Sequence, residues 1–219
     1  MMKLLCVLLF ASTCLGYSDK SGFHCTIGTA NVPLSWMDMV DPCIKNLTSQ
    51  IKTEVEASLT YLAMGAHFAR DSINRPGFSK FFLENASEER EHAIKLIEYL
   101  LMRGQLINDV NDLLKFPLVK MNPVREEWNS GMDALTDALN LEAKVTRSIR
   151  DIITTCETPA NYNFNDYHLV DYLSGEFLEE QYKGERVLAG KISTLGKMIV
   201  NNGPLGEFLF DKKLLNGEV

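Results

Sequence analysis

The sequence predicts an all-α protein: a four-helix bundle with one long crossover and a short fifth helix at its C-terminal end. Four segments of similar length carry apolar residues at helical spacing, and no competing stretch alternates like a strand. Helices of about 28–36 residues are roughly 40–54 Å long. The connection at residues 105–123 is much longer than the other two. Because a chain of about 19 extended residues reaches roughly 60 Å, the second and third helices are expected to run parallel.

Capping and breaking residues set the bounds of each predicted helix. Asp41 caps the first helix and Pro42 suits its first position. A basic residue followed by Gly104 ends the second helix, and the third stops before Pro159. The segment "NNGP" ends the fourth helix. The predicted helices cover residues 41–70, 76–104, 123–156, 165–200 and 205–215.

The N-terminal stretch "MMKLLCVLLFASTCLG" has one lysine, a short apolar run and then small residues. This pattern is typical of a secretory signal peptide, here residues 1–16. We therefore expect an N-terminal extension at residues 17–41, a helical domain at residues 42–215, and a protein in the secretory pathway (ER or Golgi lumen) or extracellular fluid. No other stretch approaches the length of a transmembrane segment, so no membrane partner is expected.

The chain is acidic, with 29 acidic and 22 basic residues and a net charge of −7. A nucleic-acid partner is therefore not expected, because no basic surface offsets the acidic excess. An acidic protein of this kind is compatible with a role that attracts cations.

Three cysteines remain after the predicted cleavage, and two asparagines lie in glycosylation sequons. In an oxidising compartment, one cysteine pair could close within the chain and leave a thiol for another chain. The cysteines are Cys25, Cys43 and Cys156. The sequon at Asn85 lies in the middle of a predicted helix and is expected to stay bare, whereas modification of Asn46 is left open.

Polar residues interrupt the apolar stripe of each of the four long predicted helices at about the same height. Burying three carboxylates together is costly unless a cation lies among them. Carboxylates with one imidazole suit iron or manganese better than zinc. The spacing of Glu89 and His92 puts both on one helix face, one turn apart. The candidate ligands are Glu54, Glu89 with His92, Glu142 and Gln181, and Tyr61 shares the stripe of Glu54.

Each of these residues alone has a simpler interpretation, namely a solvated helix face or an ordinary hydrogen bond in the core. A single Glu-x-x-His pair also occurs often by chance. The metal-site hypothesis therefore depends on the joint pattern across four helices.

Several segments of the chain together resemble the ferritins, specifically the heavy type that oxidises iron. The resemblance covers about residues 40–215, and the signal peptide, extra cysteines and N-terminal extension are similar to secreted insect ferritins. The segments are "EVEASLTYLAM" (54–64), "ASEEREHAIKLIEYLLMRG" (86–104), "ALNLEAKV" (138–145), "EEQYKG" (179–184) and "LGEFLFDKKLL" (205–215).

The resemblance implies a di-iron centre, with one iron bound by Glu54, Glu89 and His92. Glu89 would bridge to a second iron, which Glu142 also binds with Gln181 nearby, while Tyr61 would hydrogen-bond a ligand. The symmetrical di-iron pattern has a second Glu-x-x-His, where this chain has Gln181-x-x-Gly184. The second iron is therefore expected to be held loosely, which suits a substrate in transit.

The resemblance further implies that the chain oxidises Fe(II) to Fe(III) with dioxygen and passes it to a mineral core. The expected partners are other ferritin subunits, in a shell of twenty-four with light-type chains and a possible interchain disulfide. Two alternatives are a structural subunit that does not oxidise iron and a secreted signalling bundle of the cytokine type. The latter has no reason to bury three carboxylates and a histidine at one level.

A second acidic row lies on a different face of the second helix. The resemblance assigns Glu84, Glu88 and Glu91 to mineral nucleation on the cavity side of the shell. The alternative is a solvated face that forms charge pairs with Arg90 and Lys95.

Two features depart from the ferritin pattern. Ferritins line a three-fold pore with acids, and here Asp171 matches one such position but the next is Ser174, with His168 close by. The cysteines are also unusual. Because the crossover places the end of the third helix beside the start of the first, Cys43–Cys156 is the expected internal bridge, with Cys25 free. Cys25–Cys43 is the competing pairing.

Overall fold

The computed structural model describes residues 32–105, 127–159 and 164–219. The predicted signal peptide, residues 17–31 of the extension, Cys25 and most of the crossover lie outside these ranges. Leu34–Val219 forms one compact unit.

The described residues form five helices and no strand, which confirms the predicted all-α fold with four long helices and a short fifth one. A 3-10 turn at Leu34–Trp36 precedes them. None of the helices described is long and apolar enough to cross a membrane. The helices are α1 (Asp41–Ala69), α2 (Pro76–Met102), α3 (Gly131–Glu157), α4 (Tyr167–Tyr172, Leu173–Leu178 and Glu179–Asn202) and α5 (Pro204–Leu215).

Two contacts give the helix directions. A disulfide joins Cys43, near the start of α1, to Cys156, near the end of α3, with a Cα–Cα distance of 5.6 Å. Gly131, the first residue of α3, lies against the ring of Phe78 near the start of α2. Therefore α3 runs antiparallel to α1 and parallel to α2, as the long connection predicts. The expected Cys43–Cys156 pairing is confirmed, and it excludes Cys25–Cys43.

The prediction that the third helix begins at residue 123 is wrong for residues 127–130, which lie before the helix. The backbone of Ser130 is extended, and its side chain accepts a hydrogen bond of 3.1 Å from the Asp133 N–H. This capping contact fixes the helix start at the next residue. Trp128 is buried nevertheless, and its indole N–H donates to Asp137 at 3.0 Å.

Helix α4 contains a π-helical segment, Leu173–Leu178, between two α-helical parts. Leu173, Phe177 and Gln181 follow one another at steps of four residues, and all three are buried. In a regular α-helix each step of four residues rotates the side chain by about 40° beyond a full turn. The wider turns of a π-helix remove this drift. The segment therefore keeps Gln181 on the same inward face as Phe177.

Helix α5 is fixed to the bundle by two carboxylates that meet the starts of other helices. The fully buried Asp211 accepts hydrogen bonds from the N–H groups of Gly77 and Phe78, at 2.8 and 3.1 Å. Glu207 accepts from the Gly131 N–H at 3.0 Å and from Arg75 at 3.3 Å. Negative charge at a helix N-terminus is favourable, so both contacts stabilise the docked position of α5.

The apolar core consists of two clusters, and the candidate ligands lie between them. On α1, Ile51 and Ala57 on either side of Glu54 belong to one cluster, and the other cluster begins at Tyr61. The same order recurs on the other long helices, so the polar residues share one level of the bundle. The flanking pairs are Ala86 and Leu96 on α2, Ala138 and Val145 on α3, and Leu188 and Phe177 on α4.

Candidate metal centre

Three side chains from α1 and α2 converge in the middle of the bundle. One ligand atom from each of Glu54, Glu89 and His92 lies within 4.8 Å of the other two. Their exposed fractions are 0%, 3% and 5%, so water does not screen them effectively. The i,i+3 spacing on α2 puts Glu89 and His92 on one face, opposite Glu54 on α1. This is the arrangement that a shared cation requires.

Each of the three side chains has one buried atom without a hydrogen-bond partner, and two of these atoms, Nδ1 of His92 and Oε2 of Glu89, lie 3.7 Å apart. Oε2 of Glu54, Oε2 of Glu89 and Nδ1 of His92 are buried and form no hydrogen bond. A buried polar atom without a partner costs about 1–3 kcal/mol, and more when it carries charge. Two carboxylate oxygens and one imidazole nitrogen form a suitable ligand set for iron. The residues present therefore fit a bound iron ion.

Polar neighbours hold the other atoms of these ligands. The Gln50 amide donates to Oε1 of Glu54 at 2.8 Å, and Gln50 in turn accepts from Ser148 on α3 at 2.6 Å. Nε2 of His92 lies 3.3 Å from Glu180 on α4. Such outer contacts fix the tautomer and orientation of a ligand. With its Nε2 directed at Glu180, His92 presents Nδ1 to the other two ligands.

Glu142 and Gln181 lie beside this group but are not part of the compact set of three. Glu142 accepts a hydrogen bond from the hydroxyl of the fully buried Tyr61. Gln181 also hydrogen-bonds Glu142, and its own Oε1 accepts from Thr146 at 3.2 Å. Glu142 is close enough to raise the pKa of Glu89 through its negative charge. The structure thus has one compact group of three possible ligands and, beside it, a hydrogen-bonded group of Tyr61, Glu142 and Gln181.

The carboxylates repel each other and are poorly solvated. Burial, followed by the negative charge of Glu142, raises the pKa of Glu89 to about 8. Burial and then the charge of Glu89 raise the pKa of Glu54 well above its ordinary value. Burial also raises the pKa of Glu142, although hydrogen bonds from Tyr61 and Gln181 oppose it. A cation among these groups would favour their charged forms.

Gly184 lies where the symmetrical di-iron pattern has a histidine. A Cβ atom added there would meet nothing within 4 Å. The position therefore offers neither a ligand nor a packing contact. This agrees with weak protein ligation on the side of Glu142 and Gln181.

The second acidic row lies on the exposed face of α2. Glu84, Glu88 and Glu91 line a cleft of about 770 Å³. Burial is the main cause of a raised pKa at Glu88, and the charges of Glu180, Glu84 and Glu91 add to it. The alternative interpretation, a solvated helix face, predicted a charge pair between this row and Lys95. The Lys95 amine lies instead 3.6 Å from Glu180 on α4. Lys80 lies 3.9 Å from Glu84.

Asp171 is not brought into the metal centre. Together with His168 and Ser174, it lines a separate surface pocket of about 640 Å³ near the start of α4. Asp171, His168 and Ser174 are all exposed. Their common surface is compatible with the predicted pore position, and Ser174 contributes no charge to it.

Sequence reasoning missed Gln50, Glu180 and Thr146. Gln50 is fully buried one turn before Glu54, and its helical spacing from Glu54 is a signal that the sequence does contain. Glu180 is half-exposed and adjacent to Gln181, so no apolar pattern distinguishes it from an ordinary surface acid. Thr146 is buried on α3 one turn after Glu142, again at helical spacing.

Comparison with known proteins gives consistent matches along the chain. A family model described as a ferritin-like domain matches residues 44–198. The ferritin heavy chain of Papilio xuthus is 55% identical over 216 residues, covering 99% of this chain and 98% of that protein. That of Drosophila melanogaster is 53% identical over 215 residues, covering 98% of this chain and 100% of that protein.

A solved structure shows the same fold. The crystal structure of Trichoplusia ni secreted ferritin matches with a TM-score of 0.82 and 55% identity, covering 90% of this chain and 100% of the other. The matches confirm the resemblance to ferritin heavy chains that the sequence motifs indicate.

Proposed function

Because the chain belongs to the ferritin family, we propose that it is a heavy-type subunit that oxidises Fe(II) with dioxygen and stores the Fe(III) produced. Its relatives in Papilio xuthus and Drosophila melanogaster are named ferritin heavy chains. Iron is here both substrate and cargo, so the site has to bind it and release it.

The observation that carries this proposal is the set of three unpartnered ligand atoms at the centre of the bundle. Glu54, Glu89 and His92 each have one buried atom without a hydrogen bond, and one ligand atom of each lies within 4.8 Å of the other two. A subunit that only builds the shell would have no need for three such costly groups at one level.

Each residue has a distinct role in this proposal. Glu54, Glu89 and His92 bind one Fe(II), and Glu89 bridges it to a second ion near Glu142 and Gln181. Hard carboxylate oxygens stabilise Fe(III) over Fe(II) and so favour oxidation. Tyr61 orients Glu142 through its hydrogen bond. The open space at Gly184 leaves the second ion weakly held, so that it can leave after oxidation.

The ferric product then moves to a mineral core inside an oligomeric shell. We assign Glu84, Glu88 and Glu91 to nucleation, because their carboxylates lie together on the exposed face of α2 and line one cleft. Glu88 is close enough to both Glu180 and His92 to sense their charges. The row therefore begins next to the candidate metal centre. Asp171 is the candidate acidic residue of the pore through which iron enters.

The protein is proposed to act along the secretory route. The N-terminal signal pattern at residues 1–16, the Cys43–Cys156 disulfide and the match to a secreted insect ferritin support this location. The assembly is proposed to have twenty-four subunits and to include light-type chains. Cys25 is available for a disulfide with one of them.

The direct test is the rate of Fe(II) oxidation by dioxygen in the purified protein. Glu54→Ala and His92→Ala should each lower this rate by about 100-fold or more, because each removes an iron ligand. Glu56→Ala, which removes an exposed acid from the same helix, is the matched control and should not change it. If both ligand variants oxidise iron at the unaltered rate, the chain is a structural ferritin subunit.

A further inference from the structure

A row of aromatic rings leads from the candidate metal centre toward the end of α2 and the start of α4. The rings of His92 and Phe177 have centroids 5.6 Å apart, and Phe177 is 5.7 Å from Tyr172. Tyr172 stacks on Tyr99 at 4.5 Å with an interplanar angle of 20°. The row therefore connects a candidate iron ligand to two tyrosines, which are oxidisable side chains.

The hydroxyl of Tyr99 has one donor and one acceptor beside it. Arg103 donates a hydrogen bond to the Tyr99 oxygen at 2.7 Å. Nδ1 of His168 lies 2.9 Å from the same oxygen, within hydrogen-bond reach of the phenolic proton. A guanidinium cannot accept a proton, so the direction of the Arg103 bond is determined, whereas the direction of the His168 bond depends on the tautomer of its ring. The His168 tautomer that carries its proton on Nε2 can accept the phenolic hydrogen bond at Nδ1.

Acidic residues hold this arrangement in place. Arg103 forms two hydrogen bonds with the buried Asp166, at 3.0 and 3.1 Å, and two with Asp38, at 2.7 and 3.1 Å. Bidentate pairs of this kind fix the guanidinium in one orientation. Burial raises the pKa of Tyr99 to about 12, so the phenol stays protonated at physiological pH. Loss of an electron from Tyr99 therefore requires a base for its proton.

Among the described residues Tyr172 makes no hydrogen bond to a base, although burial and then the negative charges of Glu176 and Glu98 raise its pKa. Its hydroxyl donates to the backbone carbonyl of Lys95 at 3.5 Å, and a carbonyl does not take up the proton. Phe177 has no ionisable proton and is harder to oxidise than a phenol. Of the three side chains between His92 and His168, Tyr99 is thus the one at which an oxidised state can be held as a neutral radical.

We propose that Tyr99 is a redox-active tyrosine that gives one electron to the iron site through Tyr172 and its phenolic proton to His168. This inference rests on the proposed iron oxidation. The electron from Tyr99 would give the protein a second activity, namely the removal of one-electron oxidants that form when hydrogen peroxide reacts with Fe(II). The exposed position of His168 lets the proton exchange with solvent.

The electrons and protons of this reaction balance when hydrogen peroxide is the oxidant. Fe(II) gives one electron to hydrogen peroxide, which yields Fe(III), hydroxide and a hydroxyl radical. The electron from Tyr99 reduces the hydroxyl radical, which takes a proton from solvent and becomes water. The proton from Tyr99 moves to Nδ1 of His168. Another Fe(II) later returns an electron to the tyrosyl radical, and His168 returns the proton.

The experiment is freeze-quench electron paramagnetic resonance of the full assembled protein after mixing with Fe(II) and hydrogen peroxide. A tyrosyl radical signal is expected in the unaltered protein and should be lost in Tyr99→Phe. His168→Gln retains a hydrogen-bond acceptor but not a base, so it should also lose the signal. Tyr182→Phe removes an exposed hydroxyl from α4 and is the matched control, with the signal unchanged. Circular dichroism of each variant verifies its fold.

Fe(II) oxidation by dioxygen is measured on the same samples and separates the two proposals. If the unaltered protein oxidises iron but shows no tyrosyl radical, the inference about Tyr99 is overturned. It is also overturned if the signal persists in Tyr99→Phe and disappears in Tyr61→Phe, since the radical then lies next to Glu142. If the unaltered protein does not oxidise iron at all, the proposed function itself fails.

Discussion

The amide of Gln50 donates a hydrogen bond of 2.8 Å to Oε1 of Glu54, one turn further along α1. The other oxygen of Glu54 is buried without a hydrogen bond, and Glu54 belongs to the candidate ligand group. Gln50 also accepts from Ser148, so the orientation of Glu54 depends on a contact between α1 and α3. This is the kind of outer contact that tunes metal affinity.

We expect Gln50→Leu to lower Fe(II) oxidation by roughly 10-fold, because Glu54 loses the bond that directs Oε2 into the site. The measurement is the initial rate of oxidation at several Fe(II) concentrations. Ser49→Ala, an exposed neighbour, is the control and should leave the rate unchanged. An unaltered rate in Gln50→Leu would show that Glu54 is held in place without this bond.

Stability of the metal-free protein should fall as the pH rises. The folded protein holds a proton on Glu89 up to a pKa of about 8, compared with an ordinary value of 4.5. Between these values the folded state binds more protons than the unfolded state, so unfolding becomes more favourable with increasing pH. Glu54 and Glu142 act in the same direction, since burial raises the pKa of each. Below a pH of about 4.5 the stability that the protonated Glu89 contributes is fully present, and it is lost as the pH rises through about 8.

Calorimetry of chelator-treated protein across this pH window tests whether stability falls as the pH rises. The Tm should decrease by several degrees. Glu89→Gln, which cannot ionise, should flatten the dependence. Mn²⁺, a redox-stable probe, should restore the Tm at the upper end of the window. A Tm that rises with pH in the metal-free protein would contradict the raised pKa values.

Removing the disulfide should destabilise the fold substantially. Cys43 and Cys156 are separated by 113 residues in sequence and are both fully buried. Loss of a native disulfide costs about 2–5 kcal/mol, which corresponds to a Tm lower by roughly 5–15 °C. The Cys43→Ala/Cys156→Ala double variant should show this decrease in calorimetry. Cys25→Ala should leave the Tm of the subunit unchanged, because the internal bridge remains.

Gly77→Ala should interfere with the docking of α5. A Cβ atom at Gly77 would lie 2.0 Å from the backbone oxygen of Asp211, so one helix has to move. A cost of about 1–3 kcal/mol is expected from such overpacking, and thermal unfolding measures it. Gly175→Ala is the matched control, since its Cβ would meet nothing within 4 Å. Equal Tm values for the two variants would show that α5 accommodates the methyl group without cost.

Much of the candidate site could be predicted because it depends on helical periodicity. The positions of Glu54, Glu89 and Glu142 on their stripes follow from the 3.6-residue repeat, and the structure buries all three at one level. The start of α3 was predicted too early because the capping contact of Ser130 was missed, although that signal is local. The π-helical segment did not disturb the prediction for α4, because it keeps Phe177 and Gln181 on the same inward face.

The helices, their order and the level at which the candidate ligands are buried follow from the amino-acid sequence alone, because capping and amphipathic spacing act within one helix. Which side chains meet across helices depends on the packed fold. Glu180 beside His92, Asp211 at the start of α2 and His168 beside Tyr99 are examples. Such contacts depend on the rotation and axial offset of each helix, which result from packing of the whole core and not from any one segment.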